Sequence, residues 1–128
     1  AFRREQAPMA APVTRLTRRV DFQRLTRKGA RQAMPGVVLQ TMVRPESNSK
    51  VCRVGFTVSK KVGGAVQRNR AKRRLRAAAA EVIENLQPGR DIVLVGRKAT
   101  LTGTWDSLLA DVRQACIELG VITAEGKV

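Results

Sequence analysis

Histidine and tyrosine are absent from the 128 residues, and the aromatic set stops at three phenylalanines and one tryptophan. Without histidine the chain lacks both the usual general base and the commonest metal ligand. Two cysteines, Cys52 and Cys116, are too few for a disulfide scaffold or a zinc site. Each sits in an apolar pattern, as expected of buried free thiols in a reducing compartment. Cys52 has no histidine to activate it as a nucleophile. The ten acidic residues are scattered, with no spaced pair or triplet of the kind that holds two metal ions. Asp91 at a strand start and Asp106 in a first helical turn have structural readings. Ser59 beside Lys60 suits phosphate contact better than Ser–Lys catalysis. No run of 18 apolar residues exists to span a membrane. The opening AFRREQAPMAAPVTR has no continuous apolar core, so it does not read as a secretory signal. These absences describe a chain that binds without cutting, with no catalytic residue and no metal or cofactor of its own.

What is present is positive charge, 25 Lys and Arg giving a formal +15. Such an excess points to a nucleic acid or another anionic surface as partner. It is concentrated: from Ser47 to Ala80 there are ten Lys and Arg and no Asp or Glu. Within KKVGGAVQRNRAKRRLR, Lys60 to Arg76, the pattern turns helical after Gly63-Gly64. Ala71, Leu75, Ala78, Ala79, Val82 and Leu86 recur at three- and four-residue steps. At about 100° per residue, Arg68, Asn69, Lys72, Arg73 and Arg76 fan along one flank of that apolar face, and Arg70 and Arg74 along the other. The cations crowd the end where the helix dipole is already positive. Like charges at i,i+4, such as Arg70–Arg74 and Lys72–Arg76, repel one another. Solvated faces ordinarily mix signs. A single-sign face therefore implies a polyanion, and Gly63-Gly64 could add backbone N–H groups at the helix start. On these residues alone an RNA, a DNA or a ribosomal role fits the charge.

The length suits one domain with one core. Residues 1–14, with two prolines and Arg3-Arg4, are expected to form a flexible basic arm, and 123–128 a tail. A helix is expected over Leu16–Lys28, with Thr17 as N-cap and Gly29 ending it. After Pro35-Gly36 comes a strand in GVVLQTMV, then a polar hairpin loop, PESNSK. Val51–Ser59 alternates, with Cys52, Val54, Phe56 and Val58 on one side and Arg53, Gly55 and Thr57 on the other. The basic helix follows, ending near Asn85. Pro88-Gly89 turns into a strand over Asp91–Gly96, and Arg97–Gly103 reads as a loop. Thr104 caps a last helix striped by Trp105, Leu108, Leu109, Val112, Cys116 and Leu119, closed by Gly120. This order predicts an α+β two-layer domain around a small mixed sheet.

The stretch RVGFTVSKKVGGAVQRNRAKRRLRAAAAEV, centred on Arg68, Asn69 and Arg70, resembles the signature of the bacterial ribonuclease P protein subunit. DFQRL upstream and RDIVLVGRKA downstream match in kind and spacing, so the likeness covers residues 15 to 120. The resemblance implies a left-handed βαβ crossover, an exception to the usual hand. It implies a cytoplasmic ribonucleoprotein endonuclease whose RNA subunit, with Mg2+ held through the RNA, removes the 5′ leader of precursor tRNA. The protein would bind that RNA and the leader, with no membrane and no obligate protein partner. By matching positions, Lys60, Lys61, Arg68, Asn69, Arg70, Lys72, Arg73 and Arg76 would contact RNA, some reaching the leader. Phe22 would lie in a leader cleft with Thr26 and Gln40, where the family often carries further aromatics. Gly64 stands where the family usually has Asn. Phe22 on its own pattern reads as core; the resemblance moves it to the cleft floor. Phe56 and Trp105 read as core.

Overall fold

The computed structural model describes residues 13–16, 18–43, 52–82 and 89–122. In chain order the elements are β1 (Val13–Arg15), α1 (Arg19–Lys28), β2 (Ala30–Met34), β3 (Val37–Val43) and β4 (Cys52–Val58). A 3-10 turn (Lys60–Val62) leads to α2 (Ala65–Val82), followed by β5 (Arg90–Gly96), α3 (Lys98–Thr102) and α4 (Trp105–Glu118). The five strands lie in the order β1-β4-β5-β3-β2. β4 is parallel to β5 and to β1, whereas β3 is antiparallel to β5 and to β2. The sheet is thus mixed, and α2 makes the crossover between adjacent parallel strands.

Period-two alternation in β4 sets the layers. Cys52, Val54 and Val58 join Leu39, Ile92 and Leu94 in the main core. That core is closed by the apolar stripe of α2 (Ala71, Leu75, Ala78, Ala79, Val82) and by Leu108, Val112 and Cys116 of α4. Alanine at three of the α2 positions keeps the buried face thin, so little separates helix and sheet. The other sheet face is covered by α1, where Leu16, Leu25 and Val93 form a smaller cluster with Phe22 against it. A ten-residue helix spans about 15 Å, too short to cover the sheet, and part of this face stays open.

Several expectations are corrected. The first helix starts at Arg19 with Arg18 at its N-cap and no side-chain cap. Leu16 is not helical: its N–H donates to Val54 O at 2.9 Å, extending the strand pairing of β1. Thr17 and residues 1–12 lie outside the described residues, but Val13 and Thr14 belong to β1 and not to an arm. The stretch from Ala30 to Met34 is a strand that the polar pattern ARQAM concealed. It pairs with β3 across Pro35-Gly36. β3 and β4 do not form a hairpin, because β5 lies between them; PESNSK itself is outside the described residues, as are Asn85 and Leu86. The supposed loop after β5 contains α3, whose Thr100 Oγ1 accepts the Arg97 N–H at 2.9 Å and donates to Gly36 O. That hydroxyl, with Gly36 N–H donating to Asp111 at 2.8 Å, locks the β2–β3 turn onto α3 and α4. Thr104 does cap α4, accepting the Ser107 N–H at 3.1 Å.

Both cysteines are buried thiols. Burial pushes the Cys116 thiol up to about 12, so at pH 8 only about one molecule in ten thousand carries the reactive thiolate there. Maleimide should therefore label Cys116 in the native protein orders of magnitude more slowly than after unfolding in urea; labelling at equal rates would contradict the burial.

Candidate nucleic-acid interface

Helix α2 presents its cations as the spacing requires. Asn69, Arg70, Arg73 and Arg76 are exposed, and Arg68 and Lys72 are half-buried at the margin of the apolar stripe. The first turn has no acidic residue to offset the dipole. Among the described residues no carboxylate comes within ion-pair distance of any of these side chains, or of Lys60 and Lys61. The field of this face is left uncompensated among the described residues.

The turn before α2 is built on Ser59, whose Oγ accepts the Lys61 N–H at 3.3 Å. Gly63 has φ 155°, a backbone conformation that side chains resist, so glycine is required there. Gly64 has no such dihedral; its carbonyl accepts the Arg68 N–H at 2.9 Å, opening the helix. Lys60 and Lys61 are exposed just past the end of β4.

Adjacent arginines part company. Arg74 turns inward, donating from Nε to Thr100 O at 2.7 Å and from Nη2 to Gly103 O at 2.9 Å, with its guanidinium 5.8 Å from the centre of the Trp105 ring. It clamps α2 to α3 and α4. Arg76 lies 5.8 Å from the Phe56 ring centre. Phe56 and Trp105 are half-buried against the core, so each belongs to it and lies under a cation as well.

Phe22, Thr26 and Gln40 are brought together. They line one open cleft of about 590 Å3 between α1 and the sheet, with Thr57, Val93 and Val95 along its sheet side. Strand register fixes the sheet side: Gly55, Val93, Gln40 and Arg31 lie in one row across β4, β5, β3 and β2. Gly55 has no side chain to hold the ring away, and a Cβ there would sit 2.6 Å from Phe22 Cζ. Phe22 is therefore both packing and surface. The Thr26 hydroxyl donates to Phe22 O at 3.1 Å within its own helix, whereas the Gln40 amide makes no hydrogen bond among the described residues. Sequence reasoning missed Arg19 and Arg31, which stand on the helix and strand sides of the cleft. Arg31 was hidden because β2 was; once β2 is paired, period-two alternation puts Arg31 beside Gln40. The cleft and the α2 face are on opposite sides of the sheet.

Arg53 explains Asp91. Its Nε and Nη2 donate to the two oxygens of Asp91 at 2.9 and 2.6 Å, and Nη1 donates to Asp21 of α1 at 3.1 Å. Asp91 is 1 % and Asp21 5 % exposed. The hydrogen bond to Asp91 raises the Arg53 pKa above its ordinary value, against the cost of burial. Asp91 is thus more than a strand-start carboxylate; it anchors a buried ion cluster.

A small α+β domain with a half-open sheet cleft and a cationic crossover helix, uncompensated among the described residues, defines a class of polyanion-binding domain. Solved structures of that class superimpose on it. The Staphylococcus aureus RNase P protein does so with a TM-score of 0.72 and 28% identity, over 85% of this chain and 97% of that one. A Thermotoga maritima RNase P protein gives 0.62 and 25%, over 85% and 100%. The Ribonuclease P family model matches residues 11–120. The Ribonuclease P protein component of Gluconacetobacter diazotrophicus is 43% identical over 91% of this chain and all of its own length. That of Paramagnetospirillum magneticum is 44% identical over 89% and 88%. The chain belongs to the ribonuclease P protein family, the protein component of the endoribonuclease that matures tRNA 5′ ends and works with ribonuclease P RNA.

The division between Arg73 and Arg74 is testable in the free protein. Arg74→Ala removes two charge-assisted hydrogen bonds and a ring contact, and should cost about 2–4 kcal/mol in urea unfolding. Arg73→Ala should stay within about 0.5 kcal/mol of wild type. Equal losses would show that Arg73 also holds the fold.

Proposed function

We propose that the α2 face and the preceding turn (Lys60, Lys61, Arg68, Asn69, Arg70, Lys72, Arg73 and Arg76) bind the ribonuclease P RNA, and that the Phe22 cleft takes the single-stranded 5′ leader of precursor tRNA. The observation that carries this reading is the row of cations with no counter-charge among the described residues. Such a face stays self-repelling until phosphates neutralise it. Arg68 to Arg76 spans about 12 Å along the helix axis, enough for successive backbone phosphates. Side chains from three different turns would make the contact one of shape and charge, without base readout.

In the cleft, Phe22 offers a stacking surface for one base, worth about 1–3 kcal/mol. Thr26 and Gln40 replace the further aromatics that family members often carry, so stacking is limited to that ring. Arg19 and Arg31 supply charge at the rims, and Gln40 supplies a free amide. Leader binding should lean on charge and hydrogen bonds and be sensitive to salt. The metal ions of the reaction, Mg2+ in this reading, would be held by the RNA. The role in tRNA maturation fits a cytoplasmic setting. No described helix is long and apolar enough to cross a membrane.

Reconstitution tests the reading. Mixed with a ribonuclease P RNA and a precursor tRNA, the protein should raise cleavage at the mature 5′ end at low Mg2+. Affinity for the RNA should fall with a log–log salt slope of roughly −4 to −5 for six neutralised phosphates. Arg73→Ala should flatten that slope by about one. A flat titration from low to moderate salt would overturn the reading.

A further inference from the structure

The leader cleft has a floor made by one ring, and two features of β4 decide where that ring lies. Asp21 and Phe22 are consecutive on α1; Arg53 and Gly55 are alternate residues on the same face of β4. The carboxylate of Asp21 meets Arg53 Nη1 at 3.1 Å, and Arg53 is in turn gripped by both oxygens of Asp91, its direct partner across the β4–β5 ladder. One residue further along α1, the Phe22 ring lies over Gly55, with Cζ and Cε1 at 2.6 and 2.8 Å from where a Cβ would stand. Any side chain at 55 would force the ring back by about 1 Å to reach ordinary contact. Among the described residues the Arg53 fork is the sole ion pair joining α1 to the sheet.

We infer that Arg53 and Gly55 are positioning residues for leader recognition: the ion fork holds α1 in register, and the bare glycine lets Phe22 settle onto the strand as the floor on which a leader base stacks. The inference rests on the leader reading of the cleft and adds residues that themselves touch no leader. Arg53 is bound on its polar edge by two carboxylates, and the space above Gly55 is filled by the ring. Their effect on leader binding passes through Phe22.

The test uses reconstituted holoenzyme and measures how much a multi-nucleotide leader improves precursor affinity over the same tRNA with a one-nucleotide leader. Phe22→Ala should reduce that gain about tenfold. Gly55→Ala should reduce it to a similar extent, while the protein's affinity for the ribonuclease P RNA changes less than about twofold. The double variant should lose no more than the larger single loss, since both act on one contact. Asp21→Asn, which keeps shape but removes the charge from the fork, should lower the gain by about threefold; it carries the test if Gly55→Ala does not fold. Full leader gain in Gly55→Ala or Asp21→Asn, or losses that multiply in the double variant, would overturn the inference while leaving the cleft in place. Full gain in Phe22→Ala would overturn the cleft reading itself. An equal loss of RNA-subunit affinity would show general damage and overturn the positioning role.

Discussion

The fold depends on one seam, the apolar stripe of α2 against β4, β5 and α4. Ala71, Leu75, Ala78 and Ala79 are almost completely buried there. The helix carries six cations in three turns and would be a poor helix in isolation, with charge on the wrong end and like neighbours at i,i+4. Tertiary burial, at roughly 25 cal/mol per Å2 of apolar surface, outweighs repulsion of a few tenths of a kcal/mol per pair. The protein can therefore hold a strained charge distribution in a rigid frame. Arg74 shows that one cation was diverted to strengthen the seam, tied to two carbonyls and a tryptophan face.

That arrangement separates two tasks on the two faces of one sheet. The helix side carries fixed charge without an ion-pair partner among the described residues; the other side carries a shallow cleft whose floor depends on a helix docked through an ion fork. A buried ion cluster is weak evidence for stability, since desolvation offsets much of its attraction. Its value here is directional, because a bidentate guanidinium admits few geometries. An apolar replacement of the triad could match its stability and still leave α1 free to slide along its axis.

Much of this was legible in the sequence because the period-two and period-3.6 patterns are strong where one face is buried. Val37–Val43, Cys52–Val58 and α2 and α4 were read from that signal, as were Thr104 and Gly120 at the ends of α4. β2 was not, since ARQAM lies at the sheet edge, where three of its five residues are exposed or nearly so and no buried face imposes alternation. Strand adjacency failed for a different reason: a polar loop between two strands looks the same whether they pair or are parted by a third. The site divides likewise. The cations of α2 announce themselves by lacking acidic neighbours, but the inward turn of Arg74 depends on carbonyls of α3 far away in the chain. Arg53 and Gly55 read merely as the leftover face of a strand until α1 is laid on them.

The three-residue strand β1 is all that flanks β4 on its outer side among the described residues. Removing β1 would take away the strand that pairs with Cys52, Arg53 and Val54 on the outer side of β4. Such a margin invites a second molecule to add its own strand. Strand β1 thus helps to keep copies of the protein apart in solution, by occupying the margin of β4 that a second molecule would otherwise extend.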